Sequence, residues 1–180
     1  MRTFWLILYY GLAKHLPKSI VPIIGTIAKH LRRACAEHLF AECGPLINVE
    51  QGAYFGNGKQ IHVLGEKVGL GKNFTCHCRI LTMHSHIMMA EDVLFQGGGH
   101  GYDNPDVRMD EAEGLPPTPL EICEDVWIGA RAMILPGCIL HIHVIKHGYL
   151  FILSKKCLKL KTYVEQKSKQ KRNLTVCFHL

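Results

Sequence analysis

The residues best suited to chemistry lie in Gly97-Gly98-Gly99-His100-Gly101-Tyr102. A neutral imidazole near pH 7 accepts a proton from a hydroxyl, which is the work of a general base. The glycines around His100 let a substrate come close and leave backbone N–H groups free to meet a developing oxyanion. A surface-loop histidine with no catalytic work accounts for the same local features equally well. A second group, Cys76-His77-Cys78 with His84 and His86, offers potential metal ligands. Alternating side chains on a strand do not converge, and zinc sites draw paired ligands from turns, so no metal is expected there. Cys76 reads instead as a small buried hydrophobe. No Gly-Lys-Ser/Thr follows the glycine triplet, and it opens no helix, which excludes a phosphate cradle of that type. No Ser or Cys has a base arranged to make it a nucleophile.

The elements that must position His100 are written in a six-residue period. Leu64-Gly65-Glu66-Lys67-Val68-Gly69 is followed by Leu70-Gly71-Lys72-Asn73-Phe74-Thr75 and by Cys76-His77-Cys78-Arg79-Ile80-Leu81. An aliphatic or small residue leads each hexad and an apolar residue stands four places later: Val68, Phe74, Ile80. After one extra residue the pattern resumes, with Met83 and Ile87, then Met89 and Val93. A third set pairs Ile122 with Val126, Ile128 with Ala132, and Ile134 with Cys138; Ile47 and Ala53 begin weaker copies. A period of six is neither helical nor simple strand alternation. It suits a three-sided parallel β-helix, an all-β fold in which the leading residue points inward and a turn takes about 18 residues. Glycine after the leader, as at Gly65, Gly71 and Gly129, suits a corner that a Cβ would crowd. From Ile47 to Leu140 the repeat makes about four turns once the non-repeating stretch 97–119 is set aside. That stretch, rich in Gly and Pro, reads as a long external loop, the part of a rigid scaffold that most often carries function.

The flanks differ from the repeat. Phe4 to Leu12 is an apolar run too short to span a bilayer. Its tyrosines and the following Lys14, Pro17 and Lys18 are poor signal-peptide features, so a packed or membrane-surface amphipathic segment is expected. Ile27, Leu31, Cys35 and Leu39 recur every four residues with Lys29, Arg32, Arg33 and Glu37 between them. This predicts an amphipathic helix with a polar back, closed by Gly44-Pro45. The expected organisation is a helical segment over 1–44, the β-helix over 45–140, and a basic tail over 141–180. The tail holds eight Lys/Arg and one acid between Lys155 and Arg172, while the rest of the chain is close to neutral. Such a tail could meet phosphates, but a solvated tail is the simpler reading, and no nucleic acid partner is expected. The eight Cys are scattered through a chain with 48% hydrophobic residues, which favours reduced thiols in a globular cytoplasmic protein over a disulfide framework.

The hexads, the Gly-His loop, and Val126-Trp127-Ile128-Gly129-Ala130 followed by Leu135-Pro136-Gly137 resemble hexapeptide-repeat acyltransferases. The nearest type is the bacterial sugar O-acetyltransferase of the maltose, galactoside and capsular polysaccharide group. The resemblance runs from about Pro45 to Gly137. It implies a left-handed coil, a homotrimer with active sites between subunits, acetyl-CoA as donor and a carbohydrate hydroxyl as acceptor. It implies that His100 is the catalytic base and that the sugar hydroxyl attacks the thioester directly, without an acyl-enzyme. Ala130 matches a position whose backbone contacts the pantetheine arm, with Trp127 and Gly129 at the same corner. His77 stands where maltose- and galactoside-type members use an Asn to hold the acceptor, and Arg108 resembles the basic residue that follows the catalytic His. Family members continue with further Ile-Gly hexads; here none follows Ile139, which reads as a frame or gene-end alteration near residues 138–148 and an unpaired end to the coil. A catalytically silent scaffold and a trimeric zinc-dependent β-helix lyase are the alternative readings.

Overall fold

Inward-facing residues in this chain come in pairs two apart, and the pairs follow one another at intervals close to six. Val68 and Leu70, Leu81 and Met83, Val93 and Phe95, and Val126 and Ile128 are all buried. A strand of two or three residues turns both members of such a pair to the same side, and a corner then starts the next strand. The computed structural model describes residues 1–99, 106–108, 110–114 and 118–141, and the backbone of 145–146 and 151–152. His100 lies outside the described residues.

Among the described residues the strands form three parallel sheets that the chain visits in turn. The first contains β1 (Glu42–Cys43), β3 (Ile61–Val63), β6 (Leu81–Met83), β9 (Leu120–Ile122) and β12 (Ile139–Leu140). The second contains β2 (Asn48–Val49), β4 (Val68–Leu70), β7 (Ile87–Met89), β10 (Val126–Ile128) and β13 (Ile145–Lys146). The third contains β5 (Thr75–Cys76), β8 (Leu94–Phe95), β11 (Met133–Ile134) and β14 (Phe151–Ile152). This is a three-sided parallel coil, and its axis is filled by one continuous apolar core that includes Ile61, Phe74, Met83, Phe95 and Ile134.

The register corrects the phase of the early hexads. One turn takes 20 residues from Glu42 to its partner His62 and 18 from Trp127 to Ile145. The additional residues sit at corners, so Leu64 and Ile80, expected at repeat positions, are exposed there. The coil also continues beyond the end that the repeat suggested. Ile145–Lys146 pairs with β10 and Phe151–Ile152 with β11, both parallel and both in the 18-residue period.

The corners explain several residue choices. The residue just before an inward pair takes a left-handed backbone at Lys67, Asn73, His86, Asp92, Asp125 and Arg131, with φ between 53° and 60°. Consecutive turns stack these corners, so that Asn73 Nδ2 donates to Asp92 Oδ1 at 2.9 Å. Gly71 is required by proximity, because a Cβ there would lie 1.8 Å from the carbonyl oxygen of Ala90 in the next turn. At Gly69, two residues earlier, a Cβ would meet Ile87 O at an ordinary 3.6 Å. Gly71→Ala therefore destabilises by about 2 kcal/mol or more, the scale of overpacking in a rigid interior, while Gly69→Ala stays within about 0.5 kcal/mol. Urea unfolding of the two variants side by side measures the difference.

Helix α1 (Arg2–Gly11) and helix α2 (Ile24–Leu39) close the first turn. Tyr9 is fully buried and donates to Ala53 O at 2.9 Å, and Trp5 stacks on His38 with ring centroids 3.9 Å apart. Two expectations for α2 fail. Ile27 is exposed, and Arg32, assigned to the polar back, has no solvent exposure. The apolar surface that α2 covers is narrow and is met by Ala28, Cys35, Ala36 and Leu39, with Arg32 reaching backbone carbonyls among them. The helix also ends at Leu39, earlier than Gly44-Pro45, because β1 already pairs with β3 at Glu42 and Cys43.

Candidate active site

The described residues place the expected site positions at two different corners of the coil. The corner between the third and first sheets holds His77, at the end of β5, and Gln96 to Gly99, at the end of β8. Gly97 lies so close to the turn beneath it that a Cβ would fall 1.9 Å from His77 O and 2.8 Å from Cys78 Cα. Gly98 takes φ 84° and has open space beside it. The glycine run thus does two jobs: Gly97 lets the chain cross directly over His77, and Gly98 supplies a left-handed backbone just after it. The next strand of the coil is β9, which begins at Leu120. The described residues among 106–114 are largely exposed.

His77 is exposed on the outside of its corner, whereas Cys76 and Cys78 on either side of it are buried in the core. Burial and the Cys76 contact push the Cys78 thiol well above its ordinary range, the contact being the larger cause. Among the described residues no group of three or more His, Cys, Asp or Glu could hold a metal ion. One turn before His77, Tyr54 bridges to Thr75, and the His77 and Tyr54 rings lie 5.9 Å apart. Lys14 Nζ stands 5.3 Å from the Tyr54 ring centroid and 5.4 Å from that of Tyr10. Burial pushes the Tyr10 hydroxyl up to about 12, although a backbone hydrogen bond from Phe55 opposes the shift. Two shallow hollows flank this cluster and share Asn57. One of about 380 Å³ is lined by Leu6, Tyr10, Tyr54 and Gly56, and the other, about 410 Å³, by Lys59, Gln60, Cys78 and Arg79. Aromatic faces beside amide and cationic groups suit a hydroxyl-rich ligand. Sequence reading missed Tyr54, Lys14 and Arg79, since they come from different turns and no local motif joins them.

Trp127, Gly129 and Ala130 lie at the corner between the second and third sheets. Trp127 is half-buried on the outer side of β10, in register between Met88 and Ile145. Gly129 is buried at the corner, and Ala130 is half-buried beside it. The corner is fastened to the turn before it, with Ala90 N donating to Ile128 O at 2.8 Å. The third sheet therefore separates these residues from His77 and Gly97 within one chain. Arg108 is in the external loop, exposed, and is held locally by Asp110 at 3.1 Å and Glu111 at 3.8 Å.

A third arrangement has a chemical look and no partner in the expected set. His84 Nε2 lies 3.0 Å from Glu121 Oε1, at the corner between the first and second sheets. A carboxylate so placed orients an imidazole. Cys123, beside Glu121, has its thiol pushed up by burial and by Glu121 and Glu124, which opposes a role as nucleophile.

No protein-family model matches the chain, and no curated protein matches it in sequence. Among solved structures its fold is similar to that of a galactoside acetyltransferase in complex with coenzyme A. The TM-score is 0.56 at 24% identity, covering 77% of this chain and 63% of that one. It is also similar to AntD, an N-acyltransferase from Bacillus cereus in complex with dTDP and 3-hydroxybutyryl-CoA. There the identity is 11% and the TM-score 0.45, over 78% of this chain and 97% of that one. The chain spans less than two thirds of the length of the galactoside acetyltransferase. The resemblance to hexapeptide-repeat acyltransferases thus holds at the level of fold.

Proposed function

We propose that this protein transfers an acetyl group from acetyl-CoA to a hydroxyl of a sugar or polysaccharide precursor. The observation that carries the reading is the three-sided coil in which Gly97 crosses directly over His77. His100 is the general base in this proposal. It takes the proton of the acceptor hydroxyl as that oxygen attacks the thioester carbonyl, and CoA leaves as the thiol without an acyl-enzyme. Backbone N–H groups of the glycine run meet the developing oxyanion. His77 and Arg108 contact the acceptor, and Trp127, Gly129 and Ala130 hold the pantetheine arm. The galactoside acetyltransferase of similar fold is a complex with coenzyme A, which supports the donor.

The separation of the His77 and Ala130 corners within one chain supports a homotrimer, in which a neighbouring copy completes each site. The coil is left-handed in this proposal, it follows the N-terminal helical segment and carries the loop 97–119, and the protein works in the cytoplasm.

Titration of the purified chain with CoA tests the donor site. The expected result is saturable micromolar binding, about −8 kcal/mol, with thiol release once acetyl-CoA and a sugar acceptor are both present. CoA binding without release under any acceptor points to a silent relative, and no CoA binding at all overturns the proposal.

A further inference from the structure

Resting on the acceptor reading of the His77 corner, we infer that the acceptor carries an anionic group, a phosphate or a carboxylate, seated by Lys59 and Arg79. These two residues line one hollow of about 410 Å³ together with Asn57, Gln60 and Cys78. They come from successive turns at the corner between the third and first sheets, the corner that also holds His77. Both are exposed, and among the described residues neither has an acidic partner. A lone solvated cation is ordinary on a surface. Here the distribution by corner is uneven. The crossings from the third sheet to the first, residues 56–60, 77–80 and 96–99, contain Lys59, Arg79 and no acid. At the other two corners carboxylates stand among the cations, with Glu66 3.9 Å from Lys67 and Asp92 3.9 Å from Arg131. The described loop acids Asp110 and Glu111 turn to Arg108.

The base under these cations is built. Asn57 Oδ1 accepts from Lys59 N at 3.0 Å, and Gln60 Nε2 donates to Phe55 O at 2.8 Å. Arg2 donates to the carbonyls of Leu39 and Asn57, the second at 2.6 Å. A third cation thus stands against the same turn and brings no acid with it. A guanidinium offers paired donors to a phosphate or carboxylate, and an ammonium adds a point charge. On the other side of Asn57, the Tyr10 and Tyr54 hollow offers an apolar face to a sugar ring. The donor does not account for the charge. Lys59 and Arg79 precede the Gly97 crossing along the coil, on the side of the helices, whereas Trp127 to Ala130 belong to the turn after it. An anion held by Lys59 and Arg79 is therefore on the acceptor's side of His77.

Calorimetric titration of the full chain with glucose, glucuronic acid and glucose 1-phosphate tests this. Wild type is expected to bind a charged sugar about tenfold more tightly than glucose, with the gain shrinking at high salt. Which charged sugar gains more separates carboxylate from phosphate. The paired variant Lys59→Gln, Arg79→Gln alters only exposed side chains, so an unchanged circular dichroism melt verifies its fold. It is expected to lose the gain and to keep its CoA affinity. Lys29→Gln, Lys67→Gln removes the same charge elsewhere and is expected to keep the gain. No preference for either charged sugar in wild type, a preference that survives in Lys59→Gln, Arg79→Gln, or an equal loss in both variants overturns the inference. A fall in CoA affinity in Lys59→Gln, Arg79→Gln also overturns it, by giving these cations to the donor's phosphates. A charge preference without any CoA binding leaves the anion site standing and overturns the acetyl-transfer reading alone.

Discussion

Replacing His100 by alanine lowers the rate of CoA release from acetyl-CoA by a factor on the order of 10²–10⁴, the usual contribution of a positioned general base. The argument rests on what remains when the imidazole is gone. The glycine run still supplies N–H donors, and the corner of Trp127 to Ala130 is untouched, so CoA affinity should stay the same. Only the proton of the acceptor hydroxyl lacks a destination. The rate of the wild type should rise with pH as the base loses its proton, and the variant should lose that rise. A variant that releases CoA as fast as wild type would assign the base to another residue, with the Glu121-oriented His84 the next to replace. Coupled thiol detection across pH, with CoA titration as control, separates these outcomes.

The coil was legible because its inward positions repeat, and the reading failed where the repeat is interrupted. Leu64 and Ile80 are apolar at plausible hexad positions, yet both stand at corners, because the early turns vary from 19 residues (Val68 to Ile87) to 21 (Asn48 to Gly69) where the later ones hold 18. A one-residue insertion at a corner leaves no mark in composition. The two final strands were missed for the opposite reason. Val144 and Leu150 follow Cys138 at six-residue intervals and Ile152 stands two further on, so the period persists. What disappears are the Gly and Pro that made earlier corners visible, together with apolar character at Lys146. In the candidate site, Gly97 was legible as a glycine and illegible as a contact: its need comes from His77, a full turn away along the chain. Tyr54 and Lys14 belong to the same surroundings by stacking alone. Arg32 was misread because helical periodicity assigns a charge to the solvent side unless a partner is known.

Arg32→Ala should cost about 3–5 kcal/mol of unfolding free energy, the range for breaking a buried ion pair from one side. The guanidinium has no solvent exposure. Its Nε donates to Val49 O at 2.6 Å, and Nη1 donates to Leu16 O at 3.2 Å and Pro17 O at 3.0 Å. Nη2 faces Glu50 Oε2 at 3.6 Å. One side chain thus ties α2 to the segment after α1 and to the first turn of the coil. Alanine leaves three carbonyls short of a donor and Glu50 short of its cation. Burial pushes the Glu50 carboxyl upward, but hydrogen bonds from Ser19 and Asn48 and the Arg32 charge outweigh it and hold it below its ordinary value. The folded state therefore favours the deprotonated form. Its contribution is complete above the ordinary Glu range and is lost as pH falls through the lower, folded value. Wild type should lose stability on that acid limb. Glu50→Gln, which titrates no longer, should be less stable at neutral pH and show a shallower limb. Urea unfolding of wild type, Arg32→Ala and Glu50→Gln at a series of pH values measures all of this. An Arg32→Ala variant within about 1 kcal/mol of wild type would mean that water replaces the guanidinium at those carbonyls.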